Sequence, residues 1–408
     1  MQHASNIEAL NSSAKVSGLI VITMLIGLNL RPALAAIGPL TSAIQQDTGM
    51  SFTAMAWLTL LPVLAMGLGC FVTLKLRQQY SLKQLVQGSL GLLVIANGLR
   101  VWDTESLAQP ILLLTSLLAG TGIAVLQATL PVVIKTLAGD DSARVMGFYV
   151  SAIMGGAALA ASVSPWLTSG ELDWRMALAV WSLLALVALV CWQQWSSQLP
   201  QQSSGKALHH GVARSRQVSL IATFSMAAAG YVCILAWLPP FLLDLGFSAT
   251  QAGLLLGYLT AVEVAAGFIF PSLASKNLDR RWVLTLVMLL SVTGFVWLAL
   301  IPQWASIVFP LTLLGLGIGG QFPMVMIVTM DHHPNAQKAG SLVAVVQGYG
   351  YSLAAFMPLL MGALRDQLGQ FELAWLALAG IYLVAIILVS RYNPRHYQAL
   401  RSSNEDAQ

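Results

Sequence analysis

Apolar runs long enough to cross a bilayer, each about 20 residues or more, follow one another along nearly the whole chain with only short polar breaks between them. They fall at Val16–Leu40, Phe52–Leu74, Leu82–Trp102, Gln109–Ile134, Ala143–Leu167 and Trp174–Trp195, then at Val218–Leu242, Ser248–Leu273, Trp282–Ile301, Trp304–Met330, Ala339–Leu364 and Phe371–Tyr392. The one long polar interruption, Ser196–Gln217, is rich in Gln, Ser, His and basic residues and reads as a solvated linker. The pattern predicts an all-α membrane protein of twelve transmembrane helices. Its parts are a tail at 1–15, a six-helix half at 16–195, the linker at 196–217, a second half at 218–392 and a tail at 393–408. The first run is too long for a signal-peptide core and reads as a retained helix after a polar tail.

Composition agrees. The 408 residues are 57% hydrophobic and 9% charged, with a mean hydropathy of +0.74; soluble domains carry about 25% charged residues. The net charge of +4 matters less than where the charge lies. With the N-terminus in the cytosol, 16 of the 20 Lys and Arg residues fall on the cytosolic side, three (Arg100, Arg175 and Arg365) on the other, and Arg31 inside the membrane. The bias places both termini in the cytosol. Cys70, Cys191 and Cys233 sit in apolar runs without metal-ligand spacing and read as packing residues.

The halves resemble each other. Gly340, Gly348 and Pro358 lie 193 residues after Gly147, Gly155 and Pro165, and Gly246-Phe247-Ser248 answers Gly49-Met50-Ser51 at a shift of 197. Duplicated six-helix halves are the plan of the major facilitator fold.

Polar groups inside the spans are few. Arg31 lies deep in the first run and keeps its proton at a cost of about 2.5–3.5 kcal/mol near the bilayer centre. On a continuous helix it shares a face with Gly27, Ala35 and Gly38, so the charge points into the bundle, and Pro32 is expected to kink the helix and free a carbonyl. Gln127 in the fourth span shares a face with Gly120, Ala124 and Pro131, and Gln321 in the tenth with Gly317 and Met324. Each amide is a substrate donor or a bond to a neighbouring helix. Gln347 lies on a face with Gly340, Ala344 and Tyr351, a wall for a small polar ligand. Glu263, midway along the eighth span, is either a proton carrier or a fixed partner for Arg31 or another donor. Tyr149, Tyr231, Trp57 and Trp237 border a cavity or simply pack.

Other motifs point away from chemistry. Gly315-Leu316-Gly317-Ile318-Gly319-Gly320 lies inside a helix with no strand before it and reads as packing, not a nucleotide loop. Asp331-His332-His333 reads as a solvated helix end rather than a metal site. With no P-loop, zinc motif or nucleophilic triad, neither an enzyme nor an ATP-driven pump is expected, and neither a cofactor nor a metal ion.

Specific residues carry a resemblance. Gly27-Leu28-Asn29-Leu30-Arg31-Pro32 with Gly38-Pro39-Leu40, Gly122-Ile123 with Gln127, Val145-Met146-Gly147 with Gly155-Gly156 and Pro165-Trp166-Leu167, Ala236-Trp237-Leu238-Pro239, Gly319-Gly320-Gln321-Phe322-Pro323 and Val346-Gln347-Gly348 are similar to the cyanate transporter family of the major facilitator superfamily. The resemblance implies a bacterial inner-membrane secondary transporter, of a family associated with cyanate and, in a neighbouring branch, with nitroimidazole-like compounds. The loop Lys75–Lys83 lacks the acidic residue of the usual superfamily motif, whereas the loop after the eighth span keeps Asp279-Arg280-Arg281.

On this reading the partners are a small-molecule substrate, the lipid bilayer and a proton coupled through Glu263, with no nucleic acid, and the chain acts as a monomer. Arg31 anchors a small anion such as cyanate, with Asn29, Gln127, Gln321 and Gln347 as donors and Tyr149 and Trp237 at the border; Asn29, two residues from Arg31, is turned well away on a helix. The alternatives are efflux of small neutral heterocycles with Arg31 structural, and a non-transporting receptor, against which the lack of a sizeable soluble domain speaks.

Overall fold

The computed structural model describes residues 16–102, 108–138, 141–168, 172–196, 212–274, 279–300, 307–332 and 336–397. The expected tail at 1–15, most of the linker and the end of the C-terminal tail lie outside the described residues. Twelve spans lie among the described residues: α1 (Val16–Thr48), α2 (Phe52–Gln79), α3 (Leu82–Val101), α4 (Ala108–Ala138), α5 (Ser142–Thr168), α6 (Trp174–Trp195), α7 (Arg214–Asp244), α8 (Ala249–Ala274), α9 (Arg281–Leu300), α10 (Val308–Asp331), α11 (Ala336–Leu368) and α12 (Glu372–Val389). Eleven are long and apolar enough to cross a membrane. The remaining span, α3, is a 17-residue helix finished by the 3-10 turn Leu99–Val101. α7 starts at Arg214, inside the stretch read as linker.

The duplication is visible as packing. The contacts α2 with α4, α3 with α4, α3 with α6 and α1 with α5 recur six helices on as α8 with α10, α9 with α10, α9 with α12 and α7 with α11. The halves meet along two seams, α2 on α11 and α5 on α8. Each seam is closed by a glycine under a serine: a Cβ on Gly67 would strike Ser352, and one on Gly257 would strike Ser162. Only residues without side chains let the backbones approach this closely. The glycine run of α10 does the same within one half: a Cβ on Gly315 would meet Leu259 O at 2.9 Å, on Gly317 the Val287 carbonyl at 2.7 Å, and on Gly319 the Glu263 backbone. The run is therefore a packing face.

α1 departs from the expected continuous helix. Its helical bonding fails over 28–31 and resumes in the four-residue helix Pro32–Ala35, with Arg31 as N-cap at φ −119° and ψ −20°. Pro32 has no N–H to continue the ladder, and neighbouring backbones hold the segment from both sides: Gly156 of α5 abuts Leu28, and Gly38 lies against the Leu235 carbonyl of α7. The face shared by Gly27, Arg31, Ala35 and Gly38 is thus not the face of one regular helix.

At the end of the bundle away from the termini, the halves are latched. Asp366 of α11 accepts from the Phe52 and Thr53 backbone N–H groups at 3.1 and 2.8 Å and from the Thr53 hydroxyl, capping α2. Phe52 packs on Trp237 and Phe371 under the Arg365 guanidinium, which pairs with Asp244 at 2.8 Å. Any opening at this end would have to break the cap. In Asp366→Ala, with Cys70, Cys191 and Cys233 replaced by serine, a cysteine at the buried Met55 is expected to react about tenfold faster with a water-soluble maleimide, the equivalent of losing one charge-assisted contact; equal rates would exclude the latch.

At the other end, α10 closes differently from the expected solvated cap. His332 is 1% exposed, bonds the Val328 carbonyl through Nδ1 at 2.6 Å and stacks on Tyr397 with ring centroids 4.0 Å apart. His333 lies outside the described residues, and no metal-holding cluster occurs among the described ones. The retained loop residues Asp279 and Arg281 form a pair at 2.5 Å, and the hydrogen bond from Arg281 holds the carboxyl below the usual aspartate range. The pair's contribution is present above the ordinary aspartate value and is lost as the pH falls through the lowered one.

Candidate functional site

The break in α1 sets Arg31 at the junction of the two halves. The residue is 4% exposed. Its guanidinium lies 5.1 Å from the ring centroid of Tyr231 on α7, within cation–π range. Its Nη1 faces the Met66 sulfur of α2 at 3.9 Å, a weak acceptor, and its Nε has no hydrogen-bond partner. Tyr149 of α5, Tyr231 and Tyr351 of α11 are its electrostatic neighbours, as is Glu263 of α8. Five elements from both halves thus converge on one permanent cation.

What distinguishes this group is unspent bonding capacity. Beside Arg31 Nε, the hydroxyls of Tyr149 and Tyr231 and both carboxylate oxygens of Glu263 are buried without a partner. Buried polar atoms in folded proteins are nearly always paired, and each exception asks for a reason. Five at one place, of opposite character, make a site that can donate to an anion and accept from a proton. Glu263 is 3% exposed and makes no hydrogen bond to Arg31. The two share an electric field, not an ion pair, so a direct Arg31–Glu263 clamp is not what the structure contains.

The other sequence candidates divide. Gln347, half-buried, points Nε2 at the Met326 sulfur at 3.4 Å and stands one turn before Tyr351 on α11. Gln127 is half-buried on the α4 face whose Gly120 and Ala124 press on Pro62 and Gly69 of α2; among the described residues no hydrogen bond ties it to Arg31. Gln321 is 1% exposed and donates Nε2 to Ser291 Oγ of α9 at 2.8 Å, while its Oε1 is buried without a partner. Asn29 bonds the Leu25 carbonyl at 2.8 Å and the Leu184 carbonyl of α6 at 3.4 Å, joining two helices of one half. Trp237 donates to the Pro358 carbonyl at 2.9 Å within the aromatic latch. Asn29 and Trp237 spend their donors joining helices, Gln321 spends only its Nε2 so, and Trp57 is 40% exposed.

Two residues went unread in the sequence. Tyr351 was named only as a neighbour of Gln347, although a tyrosine at mid-span, away from the interfacial belt, was its signal. Arg100, assigned to the aqueous face, is 1% exposed and donates Nη2 to the Ala33 carbonyl of the broken segment at 3.4 Å.

Two seamed six-helix halves around a buried, unsatisfied polar centre define a multi-pass membrane carrier of small molecules. The chain belongs to the major facilitator superfamily, whose profile matches residues 19–358 and 278–408, and within it to the cyanate transporter family. It is 35% identical to the cyanate transport protein CynX of Escherichia coli (strain K12), over 94% of this chain and 99% of that one. It is 29% identical to the 2-nitroimidazole transporter of the same organism, over 95% and 97% respectively. Among solved structures, a D-xylose-proton symporter superposes with a TM-score of 0.75 at 15% identity, covering 92% of this chain and 98% of that one, a likeness of fold.

Proposed function

We propose that this transporter moves a small anion of the cyanate type across the bacterial inner membrane by alternating access, with both termini in the cytosol and Arg31 as the anion anchor. The observation that carries the reading is the set of unpartnered buried polar atoms around Arg31. A linear anion with acceptors at both ends can take charge-assisted bonds from the guanidinium at one end and a tyrosine hydroxyl at the other. The two seams form the rocking surface between halves 16–195 and 218–392, and Glu263 supplies a proton site facing the same centre. The chain works as a monomer on this account.

A neutral planar heterocycle is the second reading. It is favoured by the Tyr149, Tyr231 and Tyr351 rings around the centre and by the likeness to a 2-nitroimidazole transporter. Proteoliposome uptake of labelled cyanate and of labelled 2-nitroimidazole, each with and without a pH gradient, separates the two. The anion reading expects saturable cyanate flux that a tenfold excess of heterocycle leaves largely intact. Heterocycle flux unaffected by cyanate, with no cyanate flux, would transfer the function to the second reading.

A further inference from the structure

A four-residue helix cannot hold itself in place, because the first turns of a helix are the costly ones. Pro32–Ala35 is such a helix, and its N-cap is Arg31. In a regular helix the Ala33 carbonyl would accept from the N–H of residue 37. Here Ile37 N–H goes to Leu34 O at 3.3 Å, and the Ala33 carbonyl takes Nη2 of Arg100 instead, at 3.4 Å. Arg100 belongs to the 3-10 turn that ends α3, and its Nε donates at 3.4 Å to Thr115 Oγ1 of α4. Thr115 has already committed its own proton to the Leu112 carbonyl at 3.1 Å, which leaves its oxygen free to accept. One guanidinium therefore ties the broken segment of α1 to two helices of the same half. It does so fully buried and with neutral acceptors, leaving Nη1 without a partner. Burying an arginine this way is costly, and a helix staple needing only hydrogen bonds could be made from neutral side chains.

We propose that Arg100 is a positioning residue for the anion anchor: its fork fixes the Pro32–Ala35 turn and thereby the direction in which Arg31 enters the central site. The inference rests on the anion-anchor reading of Arg31. The two acceptors lie on different helices and are served by two nitrogens, Nε and Nη2, of one rigid plane, whereas the donors of an ammonium all radiate from a single atom.

The test is cyanate uptake in proteoliposomes, with rates normalised to the amount of monodisperse transporter. Arg100→Met is expected to raise the KM for cyanate about tenfold with less than a twofold change in maximal rate, and Arg100→Lys about threefold. In an Arg31→Lys background, Arg100→Met should add less than a twofold further rise, because the two residues act through one element. A merely structural Arg100 would lower the yield of folded protein and leave the KM of what remains unchanged, and that result overturns the proposal. So does a full tenfold rise added on top of Arg31→Lys, which would make Arg100 independent of the anchor. Should Arg100→Met fail to fold, the KM of Arg100→Lys decides alone. If Arg31→Lys itself leaves the cyanate KM unchanged, the anchor reading fails; if it raises KM while Arg100 substitutions do not, the positioning role alone fails.

Discussion

Arg31→Met is expected to lower initial cyanate uptake about 100-fold or more in proteoliposomes, with the amount of inserted, folded protein unchanged, and Arg31→Lys about tenfold. The reasoning starts from what the guanidinium does without substrate. It is buried, lies over the Tyr231 ring and faces the Met66 sulfur, and no carboxylate among its neighbours is hydrogen-bonded to it. Methionine fills a similar length of space and removes an intramembrane charge that costs about 2.5–3.5 kcal/mol, so folding loses little. Anion binding, in contrast, loses charge-assisted bonds worth about 1.5–3 kcal/mol each, and two of them account for a loss of 100-fold or more. Lysine keeps the charge and forfeits the planar fork, which explains the intermediate value. Tyr231→Phe, keeping the ring and removing one unpartnered hydroxyl, should cost less than either. Cyanate uptake at normal affinity in Arg31→Met would end the anion-anchor reading; retained 2-nitroimidazole flux in the same variant would favour the heterocycle reading.

The architecture was legible because bilayer-crossing helices must satisfy their backbones internally and leave a long apolar signature. The repeat of Gly155 and Pro165 at Gly348 and Pro358 marked the duplication, and Gly348 does sit on a seam, against Phe71 of α2. The interior of the site was less legible. Pro32 announced a kink, but the length of the break depends on Leu28 meeting Gly156 and Gly38 meeting Leu235, contacts between spans that local sequence does not encode. Gln127 and Gln321 occupy comparable depths in repeated helices, yet Gln321 spends the N–H side of its amide on Ser291. The hint was there: Gln321 shares its face with Gly317, and a glycine face on a membrane helix is a packing face before it is a cavity wall. Arg100 was misplaced because the residues around it end an apolar run, and a cation at such a position reads as interfacial. The freed Ala33 carbonyl and the Thr115 hydroxyl are the acceptors that hold it in the interior.

Glu263→Gln is expected to uncouple transport from the pH gradient: cyanate exchange between the two sides persists, and gradient-driven accumulation is lost. The carboxyl is buried without a hydrogen bond, and its backbone is pressed against Gly319 of α10, so it cannot swing far from the centre it shares with Arg31. An anion entering beside Arg31 brings a second negative charge into the field of an ionised Glu263. A repulsion of about 1.4 kcal/mol is enough to weaken binding tenfold, and like charges a few ångströms apart in a poorly solvated interior exceed that readily. Taking up a proton on Glu263 would remove the penalty, so on the proposed reading anion and proton would favour each other's binding and cross together. Glutamine mimics the protonated carboxyl permanently. It should therefore bind cyanate at least as tightly as glutamate does at alkaline pH, run exchange at an undiminished rate, and leave the proton gradient nothing to act on. A purely structural carboxyl predicts something different: the substitution would depress exchange and accumulation together and leave their pH dependence intact. Measuring counterflow and gradient-driven uptake on the same vesicles across a pH series distinguishes these outcomes, and unchanged pH dependence of accumulation in Glu263→Gln would remove the carboxyl from the coupling mechanism.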